Sequence, residues 1–288
     1  MIPVTGMQQS PVAIGGIGGS GTRLVAGLLM ELGYHMGSCL NPENDNLFFT
    51  LIFKRPDILT LDDRAFAELL NLFLSTYTGH GTPPETVHAL VTKLAAEHPQ
   101  HWVKPVEEAL HATLRDASLI KPSLKMNEPW GWKEPNTHLI LDQLYQGICG
   151  LKYIHVIRNG LDMAYSSNQR QARLWGAAIV GYAEESPSPR YLLKYWCKAH
   201  QRVMNIQAAR IGRNAFYLLN FDRLCRYPVP VLTELFAFLE QPLDATLLGK
   251  LSALVKPPAS LGRHQATDLT QFDSTDLDYL VQTGFSID

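Results

Sequence analysis

Cysteine is scarce in this sequence: four residues, Cys39, Cys149, Cys197 and Cys225, in a chain of 288. No two stand at a paired metal-ligand spacing, so nothing points to a metal cluster. The thiols read as ordinary reduced cysteines, which predicts an intracellular, cytoplasmic location. Net charge is nearly missing as well, since 25 Lys and Arg against 27 Asp and Glu leave −2. No global field draws such a chain to nucleic acid or to a membrane surface. Any polyanion site must then be a local cluster of arginine, lysine and backbone N–H groups. Long apolar runs are absent too: no stretch reaches the roughly 18 residues of a membrane span. Met1 to Pro11 lacks the basic start and apolar run of a signal peptide. Hydrophobic residues at 46% and charged residues at 18% leave no case for disorder. No internal repeat is visible.

What is present is an alternation of strand and helix patterns. Val12-Ala13-Ile14 runs into Gly15-Gly16-Ile17-Gly18-Gly19-Ser20-Gly21. Apolar residues at helical spacing follow, Leu24, Val25, Leu28, Leu29 and Leu32. A short strand is expected near Tyr34 to Met36, then a polar loop from Ser38 to Asn46. Amphipathic stretches at Phe66–Tyr77, Glu85–Ala96 and Val106–Leu114 predict a helical insertion over about 57–120. Strands are expected at Trp130–Trp132, Lys152–Ile157 and Ala215–Leu219. Helices are expected from Pro135 through Tyr145, from Asn159-Gly160 onward, and over Tyr191–Ile211 and Val229–Leu239. The tail after Pro257-Pro258 reads as loop. The alternation implies an α/β fold, a mostly parallel sheet covered by helices, with the whole chain 1–288 as one domain.

Two segments carry chemistry. The glycine cluster lies between a strand and a helix, where converging backbone N–H groups suit an anion. Gly16, Gly18 and Gly21 satisfy a dinucleotide G-x-G-x-x-G pattern, but the acidic residues that should follow, Glu43 and Asp45, come late and in a polar loop. Gly16 and Gly21 also fit the ends of a Walker A loop. There Thr22-Arg23 stands in place of the lysine that holds the β- and γ-phosphates. The second segment runs Tyr153-Ile154-His155-Val156-Ile157-Arg158-Asn159-Gly160-Leu161-Asp162-Met163-Ala164-Tyr165-Ser166. Arg158 falls at the C-terminal end of a buried strand, where α/β proteins place ligands. Asn159 is a good helix N-cap and Asp162 stands in capping-box position, with Ser166 about two turns into the helix. Each segment also has a plain structural reading, a tight turn for packing and an arginine paired to an acid at the sheet edge.

Taken together, the motifs resemble those of sulfotransferases that use 3′-phosphoadenosine 5′-phosphosulfate (PAPS). Gly19-Ser20-Gly21-Thr22-Arg23-Leu24 is similar to the 5′-phosphosulfate loop of that family. The resemblance implies that Gly18, Gly19, Ser20, Gly21, Thr22 and Arg23 surround the 5′-phosphate, in a P-loop-like fold. The family's basic residue before Ser-Gly-Thr is Gly19 in this chain, a clear departure. Arg158 and Ser166 match the spacing of the family's 3′-phosphate motif, Arg-Asn/Asp-Pro/Gly-x-Asp-x-x-x-Ser. Lys133-Glu134-Pro135 resembles a segment whose lysine contacts the phosphosulfate. Asn220-Phe221-Asp222-Arg223-Leu224 resembles one whose aromatic approaches adenine, which assigns Phe221 to the base. Leu261-Gly262-Arg263-His264 resembles a late element that closes on the 3′-phosphate, which assigns Arg263.

The resemblance thus implies metal-free transfer of a sulfuryl group from PAPS to a hydroxyl or amine of a small molecule or glycan. No role is implied for nucleic acid or a membrane. Lys133 would take over part of the task Gly19 cannot perform. Glu43 and Asp45 are the candidate bases for the acceptor's proton, with His35 and His138 as rivals and a helix cap as their plain reading. A nucleotide kinase and a non-catalytic nucleotide-binding protein of the same fold stay open beside this. Trp175, Tyr182, Tyr191, Tyr195 and Trp196 line an acceptor pocket or simply fill a core.

Overall fold

The computed structural model describes residues 10–78, 84–97 and 128–287. Four strands, β1 (Val12–Gly16), β2 (Gly131–Lys133), β3 (Lys152–Ile157) and β4 (Phe216–Asn220), form a parallel sheet of order β2-β1-β3-β4 flanked by helices. β1 and β2 pair in parallel, with Val12, Ala13 and Ile14 opposite Gly131, Trp132 and Lys133. Every residue of β1 and β2 is buried; β1 lies between β2 and β3 and is apolar or glycine throughout, as a central parallel strand requires. The expected strand at Tyr34–Met36 is reduced to a single bridge, His35 with Trp130.

The chain divides into two compact units: 1–15 with 25–153, and 16–24 with 154–288. In the first, α1 (Thr22–Glu31, shared with the loop before it) leads to α2 (Leu47–Phe53), α3 (Asp63–Thr78) and α4 (Pro84–Glu97). A 3-10 turn (Pro135–Ile140) and α5 (Leu141–Gly147) follow β2. α2 escaped the sequence pattern because all seven of its residues are buried, leaving no polar face to mark a period. Its start is set by Asn46, whose side chain accepts from the Phe49 N–H. α3 and α4 cover the first two expected amphipathic stretches, and the third, Val106–Leu114, lies outside the described residues. An aromatic cluster of Phe49, Phe53, Phe73, Tyr77, Trp130 and Trp132 is the heart of this unit, its rings meeting at 4.7–6.4 Å, edge-on or tilted except for Phe49 stacked on Trp132.

The second unit contains α6 (Gly160–Ala164), α7 (Arg170–Val180), α8 (Pro189–Arg210), α9 (Phe221–Arg226), α10 (Pro228–Leu239) and α11 (Ala245–Leu254). α8 begins where Ser188 caps the Tyr191 N–H and Pro189 takes the first helical position, which needs no N–H donor. Trp175, Tyr191, Tyr195 and Trp196 are buried in this unit, whereas Tyr182 is half exposed. The tail is not all loop: it forms two 3-10 turns and then α12 (Ser274–Gln282), which packs on α8, the Tyr279 ring meeting Trp196 edge-on. Pro257-Pro258 hid this order, since the turn chemistry before it dominates the local pattern. No described helix is long and apolar enough to cross a membrane.

Candidate active site

From Gly16 onward the glycine loop lies in the second unit. Gly16, Gly19 and Gly21 have φ of 155°, 97° and 100°, a region open to glycine and closed to most side chains. The loop is tight as well as left-handed. A Cβ on Gly21 would lie 2.1 Å from Cδ2 of Phe221, and one on Gly16 would lie 2.4 Å from the Val156 carbonyl oxygen. Ser20 N–H closes a turn onto Ile17 O at 3.0 Å. Gln171 of α7 spans the loop, accepting from Gly18 N–H at 3.2 Å and donating to Gly16 O at 3.3 Å. α1 opens at Thr22, directly after the loop, so its first N–H groups have no intrahelical acceptor and carry the positive end of the helix dipole. Ser20 is 1% exposed, and its hydroxyl is buried without a hydrogen-bond partner. A buried hydroxyl left unpaired costs about 1–3 kcal/mol. An anion seated on this loop would relieve it, so the residues present suit a phosphate group.

Arg158, 5% exposed, stands at the end of β3. Its Nη2 donates to the Ser260 carbonyl at 2.5 Å and Oγ at 3.0 Å, with Asp162 no nearer than 3.5 Å. Nη1 reaches Gly19 O at 3.5 Å, and Nε has no partner. The guanidinium lies 5.6 Å above the Phe221 ring. Its shortest bonds are thus to neutral groups, with Asp162 at 3.5 Å and Asp222 within electrostatic reach, and Nε is left able to donate to a further acceptor.

Asn159 caps α6 as expected, accepting from the Leu161 N–H, but the capping box does not form. The Asn159 N–H goes to Asp222 at 3.0 Å, and Asp162 turns to Gly262 and His264 of the tail. Burial, eased by that Asn159 N–H and by Arg158, lifts the Asp222 carboxyl above its usual range. For Asp162 burial acts the same way, but hydrogen bonds from His264 and Gly262 outweigh it and hold the carboxyl low. α6 ends at Ala164, so Ser166 sits just beyond the helix and not two turns inside it. There its Oγ accepts from Asn168 N–H and lies 3.8 Å from where a Gly19 Cβ would be. Arg263 donates to the carbonyls of Ser260 at 3.2 Å and Tyr165 at 3.0 Å. Gly18, Gly19, Ser20, Gly21, Thr22 and Arg23 thus belong to the same unit as Arg158, Ser166, Phe221 and Arg263.

In the first unit Lys133 is 2% exposed, the last residue of β2. Its ammonium donates to Asp45 Oδ1 at 2.5 Å and to the Glu43 carbonyl at 2.8 Å. Asn41 organises that loop, accepting from the Glu43 and Asp45 N–H groups and donating to Asp45 Oδ2. The two acids therefore part company: the Asp45 carboxylate is bound by Lys133, whereas the Glu43 side chain is exposed. Neither is a helix cap, which is Asn46. Glu134 does not pair with Lys133. It caps the 3-10 turn through the Asn136 N–H at 2.6 Å, and burial above all raises its carboxyl from the usual range. His138 is fully buried on that turn, and burial holds His35 below the usual imidazole range against the pull of Glu128.

Gln171, Ser260, Asp162, Asp222 and His264 did not figure among the sequence candidates. No spacing marks the first two, since each meets its partner over a hundred residues or more. Asp162, Asp222 and His264 are visible in the sequence only as parts of motifs.

Gly19→Lys, the obvious restoration of the missing cation, is expected to weaken nucleotide binding. The space is adequate, since a Cβ at this position would stand 3.5 Å from Met163 Cε, but φ of 97° is strained for any L side chain by about 1–3 kcal/mol. Gly19→Ala should show the same loss in a ligand titration; a Gly19→Lys variant that binds as tightly as wild type would show the backbone to be tolerant.

The sulfotransferase family model matches residues 11–245. Among solved structures, the sulfotransferase domain from the curacin biosynthetic pathway superimposes with a TM-score of 0.54 at 17% identity, covering 98% of this chain and 100% of its own. The sulfotransferase domain of the Synechococcus PCC 7002 olefin synthase does so with a TM-score of 0.54 at 17% identity, covering 98% and 97%. At that identity the likeness is one of fold. No curated protein sequence matches the chain. The kinase alternative is not favoured by any of these matches, and the family match takes in the glycine loop, Lys133 and the Arg158 segment alike: the chain belongs to the sulfotransferase family.

Proposed function

We propose that this sulfotransferase takes PAPS as its donor and passes the sulfuryl group to a hydroxyl or amine of a small molecule. The observation that carries this reading is Arg158, a buried guanidinium whose Nε is unpartnered and whose nearest carboxylate, Asp162, lies at 3.5 Å, in the same unit as a glycine loop with a buried unpaired hydroxyl. A donor with one phosphate at each end requires two anion sites, and a simple nucleotide triphosphate does not. Gly18 to Arg23 would hold the 5′-phosphosulfate, with Ser20 Oγ donating to it. Arg158, Ser166 and Arg263 would hold the 3′-phosphate. Phe221 would form a wall for adenine; its ring is already packed on Gly21.

The bound donor supplies the group to be transferred; the protein supplies charge, orientation and a proton acceptor. Lys133 is the ammonium we assign to the negative charge that develops as the bond to sulfur breaks. Asp45 orients that ammonium through the bond at 2.5 Å. Glu43, exposed, is then the carboxylate available to take the acceptor's proton.

A thermal-shift titration tests the donor. 3′-Phosphoadenosine 5′-phosphate is expected to raise Tm, because a ligand that binds only the folded state stabilises it. ATP and 5′-AMP, lacking the 3′-phosphate, are expected to do much less. Equal stabilisation by ATP would overturn the reading.

A further inference from the structure

Asp162 gathers three donors from one short stretch of the tail: the Gly262 N–H at 2.7 Å, the His264 N–H at 3.2 Å and His264 Nδ1 at 2.7 Å. Both side chains are buried, that of Asp162 completely. The partners are a hundred residues apart in the chain, so the contact is tertiary and not a local turn. Asp162 also lies four residues after Arg158. The carboxylate that holds the tail and the guanidinium assigned to the nucleotide are therefore carried by the same short piece of backbone.

The stretch so held is the one that touches Arg158. Ser260 accepts from Arg158 Nη2 with both its carbonyl and its hydroxyl, and Arg263 returns a bond to the Ser260 carbonyl. Between Val255 and Arg263 the tail has no helix or strand, and Gly262 adopts φ of 79°. Such a segment has no ladder of its own to keep it in place, so side-chain anchors decide where it sits. A fully buried carboxylate, in turn, is tolerated only with its hydrogen bonds complete. Each half of the contact needs the other.

We propose that Asp162 and His264 form a latch that seats residues 260–264 against Arg158 and thereby sets the affinity for the 3′-phosphate. His264 is a positioning residue in this scheme: it acts through Asp162 and the tail, aiming Arg158 and presenting Arg263. The proposal rests on the assignment of Arg158 to the 3′-phosphate.

The test is a set of dissociation constants, measured by calorimetry, for 3′-phosphoadenosine 5′-phosphate and for 5′-AMP. His264→Ala is expected to weaken the first about tenfold and the second less than about twofold, the size of one lost hydrogen bond to a charged group. His264→Asn, whose amide places a donor near the Nδ1 position, should recover most of the loss. If His264→Ala does not fold, His264→Leu, which has no donor, replaces it in the comparison with His264→Asn. Equal weakening of both ligands would reduce the latch to a general support of the fold. Unchanged or tighter binding of the bisphosphate would overturn it, tighter binding marking Ser260 as a competitor for Arg158. A wild-type protein that fails to prefer the bisphosphate over 5′-AMP would instead remove the assignment of Arg158 on which the latch rests.

Discussion

Arg158→Ala is expected to weaken binding of 3′-phosphoadenosine 5′-phosphate by about 10- to 150-fold, the loss of one charge-assisted contact of about 1.5–3 kcal/mol. The effect should fall on the 3′-phosphate alone, so affinity for 5′-AMP should change little. Stability should move less than for an arginine in a tight buried ion pair, because its short bonds are to Ser260 and its contact with Asp162 is the longer one at 3.5 Å. Lys133→Ala is expected to behave in the opposite way, depressing turnover with a small effect on product-nucleotide affinity. It leaves Asp45 without its buried cation, so thermal stability must be measured alongside the rate. Calorimetry of both variants with both nucleotides, together with steady-state rates, separates the two roles. An Arg158→Ala protein that binds the bisphosphate normally would show that the guanidinium serves the fold only.

Gly21→Ala is expected to abolish measurable nucleotide binding and to lower Tm. Two independent penalties meet at this position. The backbone, at φ of 100°, is strained for alanine by about 1–3 kcal/mol. The new methyl would also sit 2.1 and 2.3 Å from Cδ2 and Cε2 of Phe221, a ring that is itself buried. To relieve the clash the ring must leave its place, forfeiting about 1.5–3 kcal/mol of burial, or the loop must deform. Removing the ring tells these apart: in a Gly21→Ala, Phe221→Ala double variant the steric part should vanish and the strain remain. Additive losses in that cycle would mean that the loop yields and the ring does not.

Much of this architecture could be read from residue patterns, and the reasons are local. β1, β3 and α1 announce themselves because buried β-branched runs and a 3.6-residue apolar period leave few alternatives. The glycine loop and Arg158 were legible because anion chemistry demands particular residue types at particular strand ends. What could not be read was where long-range partners meet. Asp162 occupies a capping-box position, yet a histidine a hundred residues away captures it. Ser166 looked helical because nothing in its neighbours shows that α6 stops after five residues. The difference between Glu43 and Asp45 depends on Lys133 reaching one side chain and only the backbone of the other. Gly19, similarly, reads in the sequence as a missing cation. Its backbone angle makes it a residue the loop requires.

Asn46 ties more of the first unit together than its size suggests. Its carbonyl oxygen Oδ1 accepts from the Phe49 N–H, its Nδ2 donates to Met36 O at 3.2 Å and Tyr77 Oη at 2.7 Å, and its own N–H donates to Lys133 O. Tyr77 in turn donates to Gly131 O at 2.8 Å. Helix start, loop, strand end and α3 are thereby joined at one amide side chain. Such a node opens as a whole or not at all, so the amide hydrogens of Asn46 and Phe49 should exchange with solvent at a common, slow rate. Lys133 closes the same node through its carbonyl, so the strand end that carries the ammonium is anchored independently of the Asp45–Lys133 bond.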